Sequence, residues 1–263
     1  MLAERLLQQG DLDGTLQALQ QSVRERPADP ALRVFLFQLL CVTGDWRRAL
    51  EQLQLTAELD PINLPMAQTY GDAIVCELFR EQVFAGRQSP LVFGDPPAWI
   101  ARLVEALHLA AGDGAERARQ LQQEALEQAP VNPGRLDGQP FAWIADADQR
   151  LGPVLEAIFN GRYYWIPMRR LRRVEIEPPT DLRDMVWMPA QLQFENGGAT
   201  VALIPSRYSG SAASGDAALM LSRKTLWQQP VTDFFTGLGQ RMFVTDRDDH
   251  PLMHTHSIHF EAG

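Results

Sequence analysis

The sequence predicts an α+β protein of two domains, in which an all-α array of helical hairpins (residues 1–137) precedes an α+β domain rich in antiparallel strands (residues 138–263). Three observations support this prediction. The chain of 263 residues exceeds the usual size of one domain. In the first half apolar residues recur at three- and four-residue steps. The second half instead has short apolar and aromatic runs separated by turn signals.

A repeated Gly-Asp pair gives the first half its period. Gly10-Asp11 recurs as Gly44-Asp45, 34 residues later, and Gly112-Asp113 follows after twice that distance. A unit of 34 residues is the period of the tetratricopeptide-like helical hairpin, and such hairpins stack because none buries its apolar face alone. We therefore expect a tetratricopeptide-like array with a concave groove suited to a helix or an extended peptide.

The middle unit of this array departs from the pattern. Position 78, where the period requires a glycine, is leucine, and residues 85–99 contain three prolines and two glycines. Because these residues break the helical spacing, the segment is predicted to be a loop inserted between two helices.

Two hairpins are predicted in the second half. Residues 154–159 and 162–166 flank Asn160-Gly161, a dipeptide that supplies the positive φ angles of a tight type I′ turn. Residues 191–195 and 200–204 flank a second turn, Asn196-Gly197-Gly198. The sequence thus predicts an antiparallel sheet or a partly open barrel, with one or two short helices.

Further strands and their ends are predicted from composition. Residues 241–245 and 252–260 have the character of strands, and residues 209–216 ("SGSAASGD") that of a flexible loop. Proline cannot donate to a central strand ladder. Four prolines are therefore predicted to mark strand ends: Pro178, Pro179, Pro189 and Pro205.

Charge, apolar content and cysteine usage exclude several classes of function. The net charge is −9, with 12 basic and 19 acidic side chains in residues 1–140, so a nucleic-acid backbone would be repelled. No apolar run is long enough to cross a bilayer, and the N-terminus lacks the pattern of a secretion signal. Cys41 and Cys76 fall in apolar helical patterns, which favours buried free thiols in a reducing cytoplasm.

Candidate metal and catalytic groups have alternative, structural readings. His254 and His256 would share one face of a strand and could bind a metal, but Leu252, Ile258 and Phe260 on the same face favour packing. No metal site and no cofactor is therefore predicted. Three carboxylates could serve a hydrolase or transferase as acid–base groups, although such groups more often cap turns or pair with arginines: Asp146, Asp181 and Asp184.

The segment "IEPPTDLRDMVWMPA" (residues 176–190) admits three interpretations: an active-site loop, a docking surface or a corner between strands. We favour a rigid corner in which Trp187 supplies buried area and Arg183 pairs with a carboxylate. A docking role is the second choice. The arginines at positions 169, 170, 172 and 173 are either solvated charge at a strand edge, partners of local acids, or a docking site for an acidic peptide.

Several long motifs, in order along the chain, resemble the ImpE/SciE family. They are "DADQRLGPVLEAIFNGRYYWIP" (146–167), "EPPTDLRDMVWMPA" (177–190), "NGGATVALIPSRYSGS" (196–211), "LSRKTLW" (221–227) and "GLGQRMFVTD" (237–246). The resemblance implies a non-enzymatic cytoplasmic accessory protein of the bacterial type VI secretion system. Its implied partners are a helical N-terminal segment of the small sheath subunit and the AAA+ ATPase that disassembles the sheath.

The expectation is therefore an adaptor that captures an amphipathic helix in a groove. Its alternatives are the hydrolase or transferase named above and a structural subunit built permanently into a larger assembly. The candidate protein-binding residues are Arg183, Asp184, Trp187, Trp165, Arg169 and Arg170.

Overall fold

The structure is a computed structural model that describes residues 1–112 and 114–261. Helices form the first half. They are α1 (Leu2–Gln9), α2 (Leu12–Glu25), α3 (Pro30–Thr43), α4 (Trp46–Leu59), α5 (Leu64–Phe84), α6 (Ala98–Ala110) and α7 (Ala115–Gln128). In the described part of the chain, no helix is both long and apolar enough to cross a bilayer.

The repeated Gly-Asp pairs join consecutive helices. Gly10 and Gly44 adopt left-handed φ angles of 80° and 75° and end α1 and α3, a conformation that glycine reaches without steric cost. Asp11 then accepts a hydrogen bond from the backbone N–H of Gly14 at 2.8 Å and begins α2. Asp45 caps α4 in the same way. These turns confirm the predicted repeat for the first two pairs, whereas the third pair includes Asp113, which lies outside the described residues.

The second half is mainly antiparallel. Its strands, with β1 from the first half, are β1 (Leu91–Val92), β2 (Gly134–Leu136), β3 (Gln139–Phe141), β4 (Ile144–Asp146), β5 (Val154–Phe159), β6 (Arg162–Pro167), β7 (Leu171–Ile176), β8 (Trp187–Phe194), β9 (Ala199–Pro205), β10 (Thr225–Val231), β11 (Phe234–Gly239), β12 (Met242–Thr245), β13 (Asp249–Pro251) and β14 (Ser257–Phe260). A short helix, α8 (Ala217–Met220), lies between β9 and β10.

These strands form open sheets. The large sheet has the order β1-β6-β5-β9-β8-β7-β14-β2-β3, and smaller sheets have the orders β13-β12-β4 and β10-β11. Both predicted hairpins are present as β5–β6 and β8–β9. Asn160 and Gly161 have the expected positive φ angles of 51° and 68°. The predicted fold class is confirmed, with an open sheet in place of a barrel.

The predicted loop at residues 85–99 separates α5 from α6 and adds a feature that the sequence did not indicate. Within it, β1 pairs parallel to β6 and extends the large sheet by one strand. A segment of the helical half therefore completes the edge of the β half.

Two strand predictions were wrong in detail. Pro189 lies inside β8, not at its end. Its carbonyl accepts from the N–H of Glu177 at 3.2 Å, and Glu177 lies just beyond the last residue of β7. The N–H that proline lacks would therefore face the end of β7, where the strand ladder stops. Residues 252–260 do not form one strand, because Pro251 ends β13 and a 3-10 turn at Leu252–His254 precedes β14.

The predicted loop at residues 209–216 contains a 3-10 turn, Ser211–Ser214. Ser211 is buried, and its hydroxyl donates to the Tyr208 carbonyl at 2.5 Å and accepts from Gly239 N–H at 2.8 Å. The segment is therefore tied to β11 by side-chain hydrogen bonds.

One hydrophobic core joins the two halves. It contains Phe37 and Ile74 from the helices together with Trp165 and Trp187 from the strands. A second core packs one face of the large sheet against β12 and the 3-10 turn at Leu252–His254. The domain boundary at residue 137 stays a prediction, since the helices and strands share buried side chains on both sides of it. The two cysteines, Cys41 and Cys76, are buried free thiols, as predicted.

Candidate functional site

The segment at residues 176–190 forms a corner fixed by its own carboxylates. Asp181 accepts from Arg183 N–H at 3.0 Å and begins a 3-10 turn at Leu182–Met185. Asp184 accepts from the backbone N–H groups of Thr180 and Asp181 at 2.7 and 2.9 Å and is 3% exposed. Both carboxylates therefore hold the turn that leads into β8.

The corner packs against the helical array. Trp187 is fully buried, lies 6.0 Å from Trp46 and 5.8 Å from Tyr70 between ring centroids, and donates from Nε1 to Glu77 at 3.1 Å. Arg183 pairs with Asp181 at 2.8 Å and places its guanidinium 4.6 Å from the centre of the Tyr70 ring. Burial raises the pKa of Tyr70 to about 12, against the opposing effect of Arg183. The segment is thus a structural corner between the two halves.

A buried ion network lies behind this corner. Glu156 on β5 accepts two hydrogen bonds from Arg80 on α5, at 2.5 and 3.1 Å, and further bonds from Arg241 and from the Tyr163 hydroxyl. Arg80 also pairs with Glu77 at 3.3 Å. Each of these five residues is at most 6% exposed, so buried charges join a helix of the array to the β half.

The two acids that share Arg241 have pKa values shifted in opposite directions. Burial would raise the pKa of Glu156, but Arg80 and Arg241 outweigh it and lower that pKa to about 2. Burial raises the pKa of Asp146 to about 7, with Asp148 acting in the same direction and Arg241 opposing the shift. Asp146 is therefore the acid of the network that takes up a proton more readily.

Arginines from the β half also donate to carbonyls at the C-terminal ends of two helices of the array. Arg207 donates to the carbonyls of Cys41 and Val42 at 2.8 and 2.6 Å, at the C-terminus of α3. Arg223 donates to the carbonyls of Leu7 and Gln8 at 3.2 and 3.4 Å, at the end of α1. The Leu7 and Cys41 carbonyls also accept from the Gly10 and Gly44 N–H groups, so the arginines complete the pairing at these helix ends and fix the array on the β half.

The three carboxylates of the catalytic alternative all have structural contacts. Asp146 is 3% exposed and accepts from Arg241 and from the Tyr208 hydroxyl at 3.0 Å. Asp181 and Asp184 hold the corner described above. Each of the three acids therefore has hydrogen-bond partners within the protein that explain its position.

The histidines at the C-terminal end do not share a strand face. His254 ends a 3-10 turn and His256 lies between that turn and β14, and both are exposed. The Nδ1 atom of His256 lies 3.6 Å from Asp137. In the described residues, no three histidine, cysteine or acidic side chains are grouped to hold a metal ion. The predicted common face was wrong because Pro251 ends the strand before it.

The remaining candidate residues lie near the edge formed by β1. Trp165 is fully buried and donates from Nε1 to the Tyr163 hydroxyl at 2.7 Å, so it presents no surface to a partner. Arg170 donates to the Asp95 carbonyl at 2.6 Å, whereas Arg169 is exposed. Both arginines border a shallow cavity of about 270 Å³. Their docking role stays a prediction, and Trp187 and Asp184 are buried in the same way as Trp165.

A trough that the sequence did not indicate runs between α7 and the β half, with an apolar half and a polar half. It consists of two cavities of about 410 and 540 Å³ that share Leu126 and Gln149. The first is mainly apolar, with Val131 73% exposed and Trp143 38% exposed at its rim. We call the two cavities together the α7 trough. Its lining residues include Arg119, Gln122, Leu126, Glu127, Pro130, Val131, Trp143, Ile144, Gln149, Pro153, Asp233, Phe234 and Val244.

The packing of α7 on a turn determines the depth of this trough. Leu126 rests on Gly152, where an added Cβ would lie only 2.2 Å from a leucine methyl, and Gly152 has a φ of 56° that favours glycine. The wall from Arg119 to Val131 spans on the order of 20 Å, as nine helical steps followed by three extended residues. That length fits three to four turns of a helix, at about 5.4 Å per turn.

Other concavities are less suited to apolar anchors. One of about 730 Å³ lies on the sheet face and is lined mostly by polar and charged side chains, among them Arg173, Glu175, Gln191 and Gln193. An apolar side chain placed there would remove polar groups from water without a hydrogen-bond partner. The α7 trough, whose first cavity is mainly apolar, is therefore the better candidate for recognition of a helix.

Known proteins resemble the chain over nearly its whole length. Residues 138–259 match the model of the family described as ImpE protein, and residues 6–69 match a tetratricopeptide repeat. The chain is 52% identical over 261 residues to the type VI secretion system accessory component TagJ of Pseudomonas aeruginosa, covering 99% of this chain and 92% of that protein. The crystal structure of a Vibrio parahaemolyticus protein superimposes with a TM-score of 0.91 at 25% identity, covering 99% of this chain and 98% of the other. The chain therefore belongs to the ImpE family, the family of the type VI secretion accessory component TagJ.

Proposed function

We propose that this accessory protein of the type VI secretion system is a non-enzymatic adaptor that binds a helical N-terminal segment of the small sheath subunit in the α7 trough. The adaptor acts in the cytoplasm and connects the sheath to the AAA+ ATPase that disassembles it. The observation that supports this most is the trough itself, which is open, about as long as three to four helical turns, and apolar in its first cavity.

The lining of the trough specifies the chemistry of the guest helix. Leu126, Val131 and Trp143 would receive apolar side chains at three- and four-residue spacing, which lie on one face of a helix. Glu127 and Asp233 line the second cavity, so basic residues beside the apolar face of the guest would find acidic partners there.

The buried network supports an adaptor function because it makes the trough rigid. The trough lies between α7 and the β half, and its shape requires the two halves to keep their positions. Charges such as Arg80 and Glu156, together with the fully buried Trp187, join the two halves over a continuous core. A preformed trough binds a guest without the entropic cost of ordering its own walls.

The first test is a pull-down of the small sheath subunit with and without its N-terminal helix. We expect the full subunit to be retained and the truncated one to be lost. Retention of the truncated subunit at the same level would refute the proposed recognition. Addition of the AAA+ ATPase to the same experiment tests the second link, and we expect it to be retained with the adaptor and the sheath subunit together. The absence of the ATPase from every fraction would refute that link alone.

Substitutions at the rim of the trough test whether the guest helix binds there. Trp143→Ala removes an aromatic anchor, and losses at such positions are typically about 2 kcal/mol, or roughly 30-fold in affinity. Val131→Glu places a charge on the apolar rim and is matched by Val201→Glu on β9, because Val131 and Val201 are 73% and 71% exposed. We expect weak binding for the first glutamate variant and unchanged binding for the second. Equal affinities of the two would place the guest elsewhere.

A further inference from the structure

The hairpin β10–β11 has one free edge. Gln240 N–H donates to the Lys224 carbonyl, and the register continues through the pairs Leu226 with Leu238 and Gln228 with Thr236. Because hydrogen-bonded pairs alternate along an antiparallel ladder, the backbone groups of Thr225 and Trp227 point away from β11. In the part of the chain that the structure describes, neither N–H has a hydrogen-bond partner.

The other edge of the same hairpin is covered. The Gly237 N–H donates to Asp148 at 2.9 Å, and the Gly239 N–H donates to the Ser211 hydroxyl at 2.8 Å. Phe235 N–H donates to the Gln149 side chain at 2.6 Å. The hairpin is therefore anchored through β11, and β10 alone offers an unpaired ladder to another strand.

The free edge lacks the charges that usually protect such edges. Natural proteins place lysines or other charged residues on exposed edge strands to prevent pairing with another chain. Residues 225–232 ("TLWQQPVT") contain no charged side chain, although the whole chain carries a net charge of −9. Lys224, just before them, is paired with Asp216 at 2.5 Å. Two copies that repel each other elsewhere can approach here without like charges meeting.

We propose that β10 pairs with β10 of a second copy of this chain, antiparallel and across a two-fold axis at Leu226. In this register Thr225 lies opposite Trp227 of the other copy, so the outward backbone groups of both residues form hydrogen bonds on each side of the axis. The two Leu226 residues face each other as a non-hydrogen-bonded pair, with Cα atoms about 4.5 Å apart. Each Leu226 side chain is 49% exposed in a single copy and becomes covered in the pair.

The paired segment of β10 is short, so the contact between the two copies is weak. The register shift between Gln228 and Val231, together with Pro230, ends the regular ladder. A contact of this length buries less surface than the roughly 1,200 Å² at the low end of stable interfaces. The dimer therefore forms by mass action, and its population rises with protein concentration.

Sedimentation velocity tests the dimer over a range of concentrations, from about 5 to about 500 µM. We expect the average mass to rise from 29.5 kDa toward twice that value. Leu226→Lys places two lysines opposite each other and should abolish the rise. Thr232→Lys adds the same charge at an exposed position outside the paired residues, and we expect it to leave the rise unchanged.

A disulfide test checks the register independently. Leu226→Cys should form a disulfide between copies under mild oxidation, because the expected Cα separation lies within disulfide range. Gln228→Cys, on the same face, should not, since two residues at position 228 would lie on the order of 13 Å apart along the strands. The native Cys41 and Cys76 are buried and add no background.

Four results would overturn the proposal. They are a mass of one copy at every concentration, a dimer that survives Leu226→Lys, equal cross-linking of the two cysteine variants, and a protein that stays monomeric while an extended peptide protects the β10 amides from exchange.

Discussion

Replacing Glu156 by glutamine tests whether the buried network holds the two halves together. The glutamine keeps the size of the side chain and one acceptor oxygen, but it removes the negative charge that Arg80 and Arg241 share. Among the described residues, Arg80 then has Glu77 as its remaining anionic partner, at 3.3 Å, and Arg241 has Asp146, whose pKa burial raises to about 7. We expect the variant to fold with a lower free energy of unfolding.

The size of this loss can be worked out in two ways. Lowering the pKa of Glu156 from 4.5 to about 2 corresponds to about 3 kcal/mol of stabilisation of its charged form. That stabilisation is present above pH 4.5 and is lost as the pH falls toward 2. Breaking a buried ion pair by removing one partner typically costs about 3–5 kcal/mol. The two routes agree on a loss of at least about 3 kcal/mol at neutral pH.

Urea unfolding followed by tryptophan fluorescence measures this loss, because Trp165 and Trp187 lie in the shared core. With a denaturant slope of about 3 kcal/mol per molar, the midpoint should fall by about 1 M. The matched control is Glu175→Gln, whose pair with Arg173 is partly exposed and should contribute less than about 1 kcal/mol. A Glu156→Gln midpoint no lower than that of the control would mean that the Glu156 charge does not hold the two halves together.

Three further variants test other parts of the interface. Between pH 3.8 and about 7, Asp146 holds a proton in the folded protein that the unfolded chain has lost, so its contribution to the stability falls as the pH rises through this range. In Asp146→Asn the urea midpoint should therefore depend less on pH over the same range. A variant whose midpoint changes with pH as steeply as that of the wild type would contradict this assignment. Arg207→Leu removes the side-chain donor of the Val42 carbonyl and leaves the Cys41 carbonyl with the Gly44 N–H as its remaining donor, so it should cost about 2 kcal/mol. Amide exchange at the end of α3 should become faster, and unchanged exchange there would contradict the capping role. Trp187→Ala removes a fully buried side chain and should cost about 3–5 kcal/mol in the same unfolding assay, and a loss below about 1 kcal/mol would show that the corner does not hold the two halves.

Local features of the fold were predictable because short sequence signals specify them. Gly10-Asp11 ends one helix and begins the next through a left-handed glycine and a carboxylate cap, both of which act within four residues. Asn160-Gly161 fixes its hairpin in the same way. Pro189 and residues 252–260 were predicted wrongly, because a proline is tolerated or disruptive according to which neighbouring strand faces it.

The network and the trough could not be predicted, because their parts are far apart in the chain. Arg80 and Glu156 are separated by 76 residues, and only the fold brings them to hydrogen-bond distance. One signal was available, since Glu156 interrupts the otherwise apolar strand "VLEAIF" and a buried acid requires a partner. For the trough there was no such signal, because Leu126 and Trp143 acquire a common surface only when α7 packs on Gly152.

The decisive measurement for the proposed adaptor function is the affinity of the protein for a synthetic peptide of the sheath subunit's N-terminal helix, determined by fluorescence anisotropy. We predict at least a tenfold weaker complex for Val131→Glu and an unchanged complex for Val201→Glu, since an apolar guest in the trough would meet only the first charge. If Val131→Glu binds as tightly as the unmodified protein, the helix does not lie in the α7 trough and the proposed binding site is wrong.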